Sequence, residues 1–378
     1  MLFYKPTVMK KNQNEIINTI KILIYKENPS LLEKVNFDDD NIFLEPLLFA
    51  YFNSKKRNLF PNDMLKEILQ GFFSEKEEVE IKYSYNSSNV AYIPNIGYFN
   101  KGEKKAFDSV FIIENTQIEL LKRPIKLLEN IFRTNTDELI KEKEVIIDNN
   151  LFEKNINALT NAFKFIKENS PDQYKLIEEN CKKVIMFETN PNNINSFATI
   201  NAHGIAFFNV YQEEYDEVFF VDDIAHQTGH IILTALFYDK KAIFKIDEEQ
   251  NIGSLLKIND NRSVHILLHA FYTYYTTFMC LDDCLENNSF NEAQKKEAIA
   301  RIGFYLNKCN LDIQIFEKII NNFKGIEFIL TPKGIQIYLL IRSKYVETFN
   351  KWNSTTKYLD YRNQTYNFAL KNFKELNN

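Results

Sequence analysis

The sequence predicts an α+β protein, predominantly helical, with a metal site on two central helices beside a small sheet. Three observations predict it. Stretches toward both ends repeat apolar residues at helical spacing, as in NEIINTIKILIY (14–25). Runs suited to strands occur in two places only, 78–113 and 183–210. All five histidines (His203, His226, His230, His265 and His269) fall within one window, a clustering that chance produces in roughly one sequence in 200 and that favours a metal site.

The elements follow in order. FLEPLLFAYF (43–52) and DMLKEILQGFF (63–73) continue the N-terminal helices. VEIKYSY, NVAYIP and SVFII read as strands across 78–113, with Asn86 to Asn89 turning between the first two. TQIELLKRPIKLLENIF (116–132) has helical spacing with a break at Pro124. Further helices are expected over 136–148, 151–168 and, from the capping-box pattern Ser170-Pro171-Asp172-Gln173, after residue 170. Strands follow at 183–188, 196–200 and 204–210, then helices at 215–238, 262–285, 291–307, 310–323 and 333–350. We place a boundary near residue 150. It separates an N-terminal, mainly helical portion with a small β region (1–150) from a metal-binding core with C-terminal helices (151–378).

With 378 residues, 45% of them hydrophobic, the chain buries a sizeable core. A net charge of −5 argues against general nucleic-acid binding, which needs a basic footprint. No run is long enough for a membrane span, and the N-terminus has no signal-peptide pattern. Cys181, Cys280, Cys284 and Cys309 form no paired knuckles and read as reduced thiols, so the expected location is cytoplasmic. The sequence leaves the oligomeric state open.

Four histidines form two i, i+4 pairs, HQTGH (226–230) and HILLH (265–269). On a helix that spacing puts both imidazoles on one face, able to share an ion at about 2.0–2.1 Å. DDIAHQTGHIILTALFY (222–238) is apolar around its pair, which points the histidines into a cleft. The first pair is similar to the zincin H-E-x-x-H, but Gln227 stands where a metallopeptidase keeps its glutamate base. An amide accepts no proton at neutral pH, so the hydrolytic route lacks its base. Arg262, His265 and His269 lie on one stripe of the next helix, and either histidine is a candidate third ligand. Three ligands leave positions open, and a nearby arginine suits a chelating cosubstrate with a second carboxylate. 2-Oxoglutarate on Fe(II) fits that description.

These residues resemble the 2-oxoglutarate-dependent HExxH-type peptide β-hydroxylases, which modify ribosomally made precursor peptides. The likeness covers about a hundred residues, roughly 184–285. It rests on HGIAFFNVY (203–211), then the H-x3-H helix, then DNRSVHILLHAFYTYY (260–275). The resemblance implies His226, His230 and His269 as metal ligands. It also implies Arg262 on the distal carboxylate of the cosubstrate and a precursor peptide as partner and substrate. Gln227 in place of glutamate and the additional His265 depart from the pattern. His265 is then a second-shell residue, a substrate contact or the true third ligand.

Other candidates have smaller parts. Tyr272 is placed to hydrogen-bond cosubstrate, with Tyr274 and Tyr275 as neighbours in an aromatic-rich chain. His203 and Gln227 are candidates for substrate or second-shell contact, and Ser196 and Asn201 for polar groups at the cleft. Asp222 and Asp223 could complete a two-histidine, one-carboxylate site or complement the helix N-terminal dipole. EEYDEV (213–218) reads as a solvated acidic face able to attract a basic leader. Two other readings compete: a zincin-like protein that binds zinc without hydrolysing, and a degenerate peptidase kept as a peptide-binding module.

Overall fold

The computed structural model describes residues 6–55, 60–61, 63–134, 136, 138–141, 144–212, 215–364 and 366–377. Among them are thirteen α-helices and two small sheets, so the protein is α+β and predominantly helical. The chain divides into two compact units, one of 6–160 with 177–214 and the other of 161–176 with 215–378. The crossing thus lies near Thr160 rather than residue 150, and a later segment returns to the N-terminal unit. The reason is strand pairing: residues 183–187 and 205–209 hydrogen-bond into the same sheet as Glu119–Leu120.

In the N-terminal unit the expected early helices form as α1 Pro6–Glu27, α2 Ser30–Lys34, α3 Asp40–Phe43, α4 Pro46–Lys55 and α5 Met64–Leu69. Ile17, Ile20 and Ile24 line one face of α1 and join Leu47, Leu48, Tyr51 and Leu65 in a continuous core. β1 Val90–Ile93, β2 Gly97–Asn100 and β3 Asp108–Ser109 make an antiparallel sheet in that order. The β1–β2 turn uses Asn95 at φ 64°, a left-handed conformation that asparagine tolerates. The second sheet has the order β4 (Glu119–Leu120), β5 (Lys183–Phe187), β7 (Ile205–Asn209), β6 (Phe197–Ala198). Its first three strands are parallel, and β6 runs antiparallel to β7. β5 and β7 are buried at every residue, which is why KVIMF and IAFFN read as nearly continuous apolar runs.

Several expectations fail here for identifiable reasons. VEIKYSY forms no strand, because the N–H groups of Lys82, Tyr83 and Ser84 donate to the Glu67 carboxylate at 2.8, 3.0 and 3.0 Å instead of to a ladder. The helix expected over 116–132 is β4 followed by a 3₁₀ segment, Lys126–Ile131. Pairing with β5 overrides the local periodicity, and Pro124 prevents a helix from running through. The described residues of 136–148 carry isolated bridges, Arg133 with Leu139 and Ile146 with Glu188, rather than a helix. Positions 137, 142 and 143 of that stretch lie outside the described residues.

α6 (Asn149–Asn169) and α7 (Pro171–Asn180) carry the chain through the first crossing and back. The Ser170 hydroxyl does not complete the expected capping box; it donates to Asp283. The C-terminal unit continues with α8 Glu217–Leu236, α9 Ile252–Leu256, α10 Val264–Glu286, α11 Glu292–Asn322, α12 Pro332–Thr356 and α13 Leu370–Asn377. α10 packs against α8, α11 and α12. Side chains cap these starts: Asp216 accepts from Val218 N, Ser263 from Ile266 N, and Asn291 forms a full capping box with Gln294. The helices expected at 291–307 and 310–323 are one 31-residue helix, α11, with no proline to end it. Glu213 and Glu214 of the acidic run lie outside the described residues; Asp216 caps α8 and Glu217 opens it. Both sheets belong to the N-terminal unit and both histidine helices to the other. No described helix is long and apolar enough to cross a membrane, and all four cysteines are buried and unpaired.

Candidate functional site

α8 and α10 cross closely because Gly229 has no side chain. A Cβ there would stand 2.7 Å from Thr276 Oγ1 and 3.4 Å from Thr273 Cγ2. Thr276 in turn donates to the Ala225 carbonyl at 2.9 Å, tying α10 to α8. The third position between the two histidines of HQTGH is therefore a packing requirement, and it sets His230 against α10.

His226 and His230 have ring centroids 5.3 Å apart, and His230 and His269 5.7 Å. Imidazoles sharing one ion at ordinary bond lengths stand about 5 Å apart, so each of these two pairs has a spacing close to that of a shared ion. His230 Nδ1 and His269 Nδ1 are 3.4 Å apart. His226 Nδ1 and His269 Nε2 are buried with no hydrogen-bond partner. Burial lowers the pKa of all three: well below the usual histidine value for His226 and His269, and to about 4 for His230. They are neutral at pH 7, the state in which an imidazole donates its lone pair to a metal. The donor chemistry fits a divalent transition metal. The nitrogens themselves do not converge, and among the described residues no three His, Cys, Asp or Glu side chains already form a metal-holding group.

These histidines line a cavity of about 480 Å³ within the C-terminal unit. α10 contributes His265, Ile266, His269, Ala270, Thr273 and Tyr274 to its wall, with Arg262 just before the helix. α11 contributes Tyr305, Lys308, Leu311 and Asp312, and Tyr366 and Asn367 complete it. No protein-family model matches this chain, and no curated protein matches it either.

Of the residues singled out in the sequence, His226, His230, His265, His269 and Arg262 meet at this cavity. His269 is the member of the second pair that contacts the first. His265 packs edge-on against His269 at 4.4 Å and stands 3.6 Å from the Glu249 carboxylate, as a neighbour of the group. Arg262 is not an open carboxylate receptor. Its Nε and Nη2 donate to Asp260 at 2.8–3.2 Å and Nη2 also to Asp312 at 2.8 Å, so two carboxylates already neutralise it.

The other candidates fall elsewhere. Tyr272 does not line the cavity. The cavity-lining stripe of α10 advances by fours, from 265 and 266 to 269 and 270 and then to 273 and 274, which turns Tyr272 into the core against Tyr275. Gln227 is buried off the cavity wall and donates to Asp223 Oδ1 at 3.2 Å. His203 belongs to the core of the N-terminal unit, edge-on to Phe49 at 5.3 Å, and burial lowers its pKa to about 4. Asp222 is no ligand: it pairs with Arg301 at 2.8 Å, and Arg301 also holds Glu297 at 2.7 Å. Ser196 accepts from Asn209 N within the N-terminal unit.

Sequence reading missed Tyr305, Lys308 and Asp312, and named Tyr274 only as a neighbour of Tyr272. Tyr274 donates to Asp312 Oδ2 at 3.0 Å, and Tyr305 packs on His226 with centroids 5.7 Å apart. The signal was present: Arg301, Tyr305, Lys308 and Asp312 form an i, i+4, i+7, i+11 stripe on α11. Dividing that helix between residues 307 and 310 broke the stripe.

Proposed function

We propose that this chain is a cytoplasmic Fe(II)- and 2-oxoglutarate-dependent oxygenase that hydroxylates a side chain, at its β-carbon, of a ribosomally made precursor peptide. The observation that carries the reading is the meeting of His230 with His269 across two helices, with His226 one turn away. Buried ring nitrogens there lack partners and face a cavity large enough for a small cosubstrate. A buried imidazole nitrogen left unpaired is costly unless a ligand completes it.

His226, His230 and His269 would hold the ion as neutral donors. When bound, ferrous iron with 2-oxoglutarate supplies the chemistry that uses O₂ to oxidise a C–H bond. Tyr305 keeps the His226 ring in place from α11. Ile266 and Leu311 give the cavity apolar wall on its solvent-facing side. Hydrolysis is disfavoured twice over: position 227 carries no base, and it does not reach the cavity.

The test is an anaerobic titration of the folded protein with Fe(II) and 2-oxoglutarate, following the weak metal-to-ligand charge-transfer band. The band is expected in the wild type and absent from the His226→Ala/His230→Ala double variant. A folded wild type with no band overturns the proposal. A second reading, a zincin-derived peptide-binding module without catalysis, is favoured by one observation, the lack of convergence of the ring nitrogens. It predicts peptide binding that is indifferent to the same double substitution.

A further inference from the structure

Two cations line the cavity, and their surroundings differ. Arg262 has two carboxylates on it. Lys308, one face of α11 away, has no carboxylate within 4 Å among the described residues. Its Nζ donates to the Tyr366 carbonyl at 2.7 Å and lies over the Tyr366 and Phe304 rings at 4.6 and 5.3 Å. The nearest acidic groups are committed elsewhere. Asp312, one turn along, gives Oδ1 to Arg262 and Oδ2 to Tyr274. Asp222 holds Arg301.

We propose that Lys308, rather than Arg262, is the anchor for a carboxylate group of the small-molecule ligand that occupies this cavity, a short dicarboxylate whose other end faces the histidines. The Lys308 ammonium is half-buried, and no carboxylate among the described residues pairs with it directly; Asp312 and Asp222 act on it only at longer range. In keeping with this, burial lowers its pKa to about 8. The aromatic rings and the carbonyl around Nζ orient it while leaving it in want of an anion. A ligand carboxylate there would gain a charge-assisted hydrogen bond without displacing an existing ion pair. At Arg262 it would have to compete with Asp260 and Asp312. This assignment rests on the reading of the cavity as a cosubstrate site, but its test does not need the metal.

The probe is glutarate, which has both carboxylates and no chelating keto group, added to the metal-free full-length chain and followed by calorimetry. Wild type is expected to bind it. Lys308→Met is expected to bind at least tenfold more weakly, with its helical circular dichroism intact, and Lys308→Arg to recover most of the affinity. No glutarate binding by the wild type, or binding unchanged in Lys308→Met, overturns the assignment. So does a loss that follows Arg262→Gln instead. Metal binding measured separately with Co(II) keeps the two ideas apart. Glutarate binding that depends on Lys308 without any metal binding sinks the oxygenase reading alone. Metal binding with glutarate indifferent to Lys308 sinks this inference alone.

Discussion

Lys183 in the N-terminal unit is buried and Lys308 in the C-terminal unit half-buried, and the protein surrounds them in opposite ways. Lys183, on β5, is buried with Glu119 at 2.6 Å, Glu45 at 3.2 Å and the Tyr92 hydroxyl at 3.0 Å. Tyr92 donates in turn to Glu119 at 2.7 Å. Burial opposes the charge of Lys183, but the two glutamates outweigh it and raise its pKa. Lys308 has a carbonyl and two rings, and its pKa falls. Near the site, Arg301 is held by both Asp222 and Glu297, whereas His226 Nδ1 on α8 and His269 Nε2 on α10 have no hydrogen-bond partner among the described residues, as is also true of the second oxygen of Asp222. Lys183 comes with its counter-charges, whereas Lys308 has no carboxylate close to it among the described residues.

That contrast can be broken most forcefully at Lys183. Lys183→Met leaves two carboxylates buried without a cation and is expected to lower unfolding free energy by about 3–5 kcal/mol in chemical denaturation. A change under about 1 kcal/mol would mean that the cluster is not the internally completed one described here. The next test separates packing from ligation. Gly229→Ala is expected to cost about 1–3 kcal/mol by forcing α8 from α10, and to weaken Co(II) binding although no ligand is altered. Unchanged metal affinity would show that the α8–α10 approach does not set the histidine geometry.

The most gradual effect is in pH. His226, His230 and His269 have folded pKa values below that of a histidine in the unfolded chain. Between that unfolded value, near pH 6.5, and the lower folded values, only the unfolded state takes up the protons. The metal-free protein therefore keeps its full stability above about pH 6.5 and loses it as pH falls toward 4, at up to about 1.4 kcal/mol per pH unit for each histidine. His203 adds to the same slope from the other unit. Removing His226 and His230 is expected to flatten the curve between pH 6.5 and 5. An identical slope in the double variant would place those imidazoles in contact with solvent.

The helices of the site were legible because their signals are local. Apolar spacing and the two histidine pairs depend on residues within a turn or two of one another. β5 and β7 were legible for the same reason, as short apolar runs ended by turn residues. β4 was not, because Glu119–Leu120 is a strand only through its pairing with residues more than sixty positions later. VEIKYSY was misread because Glu67, on α5, takes the hydrogen bonds that a strand would have needed.

Within the site the division is equally physical. Histidine spacing and the missing glutamate at Gln227 are properties of the chain alone, and they determined which helices carry the candidate ligands and that an amide stands where a zincin keeps its base. Only the tertiary structure decided that His269 meets His230, that Arg262 is already paired, and that α11 brings Lys308 and Tyr305 to the cavity. Those facts depend on which faces of three helices point at one another. Interhelical packing sets those faces, through a close approach such as Gly229 against Thr276, and no local pattern encodes the partner on the far side.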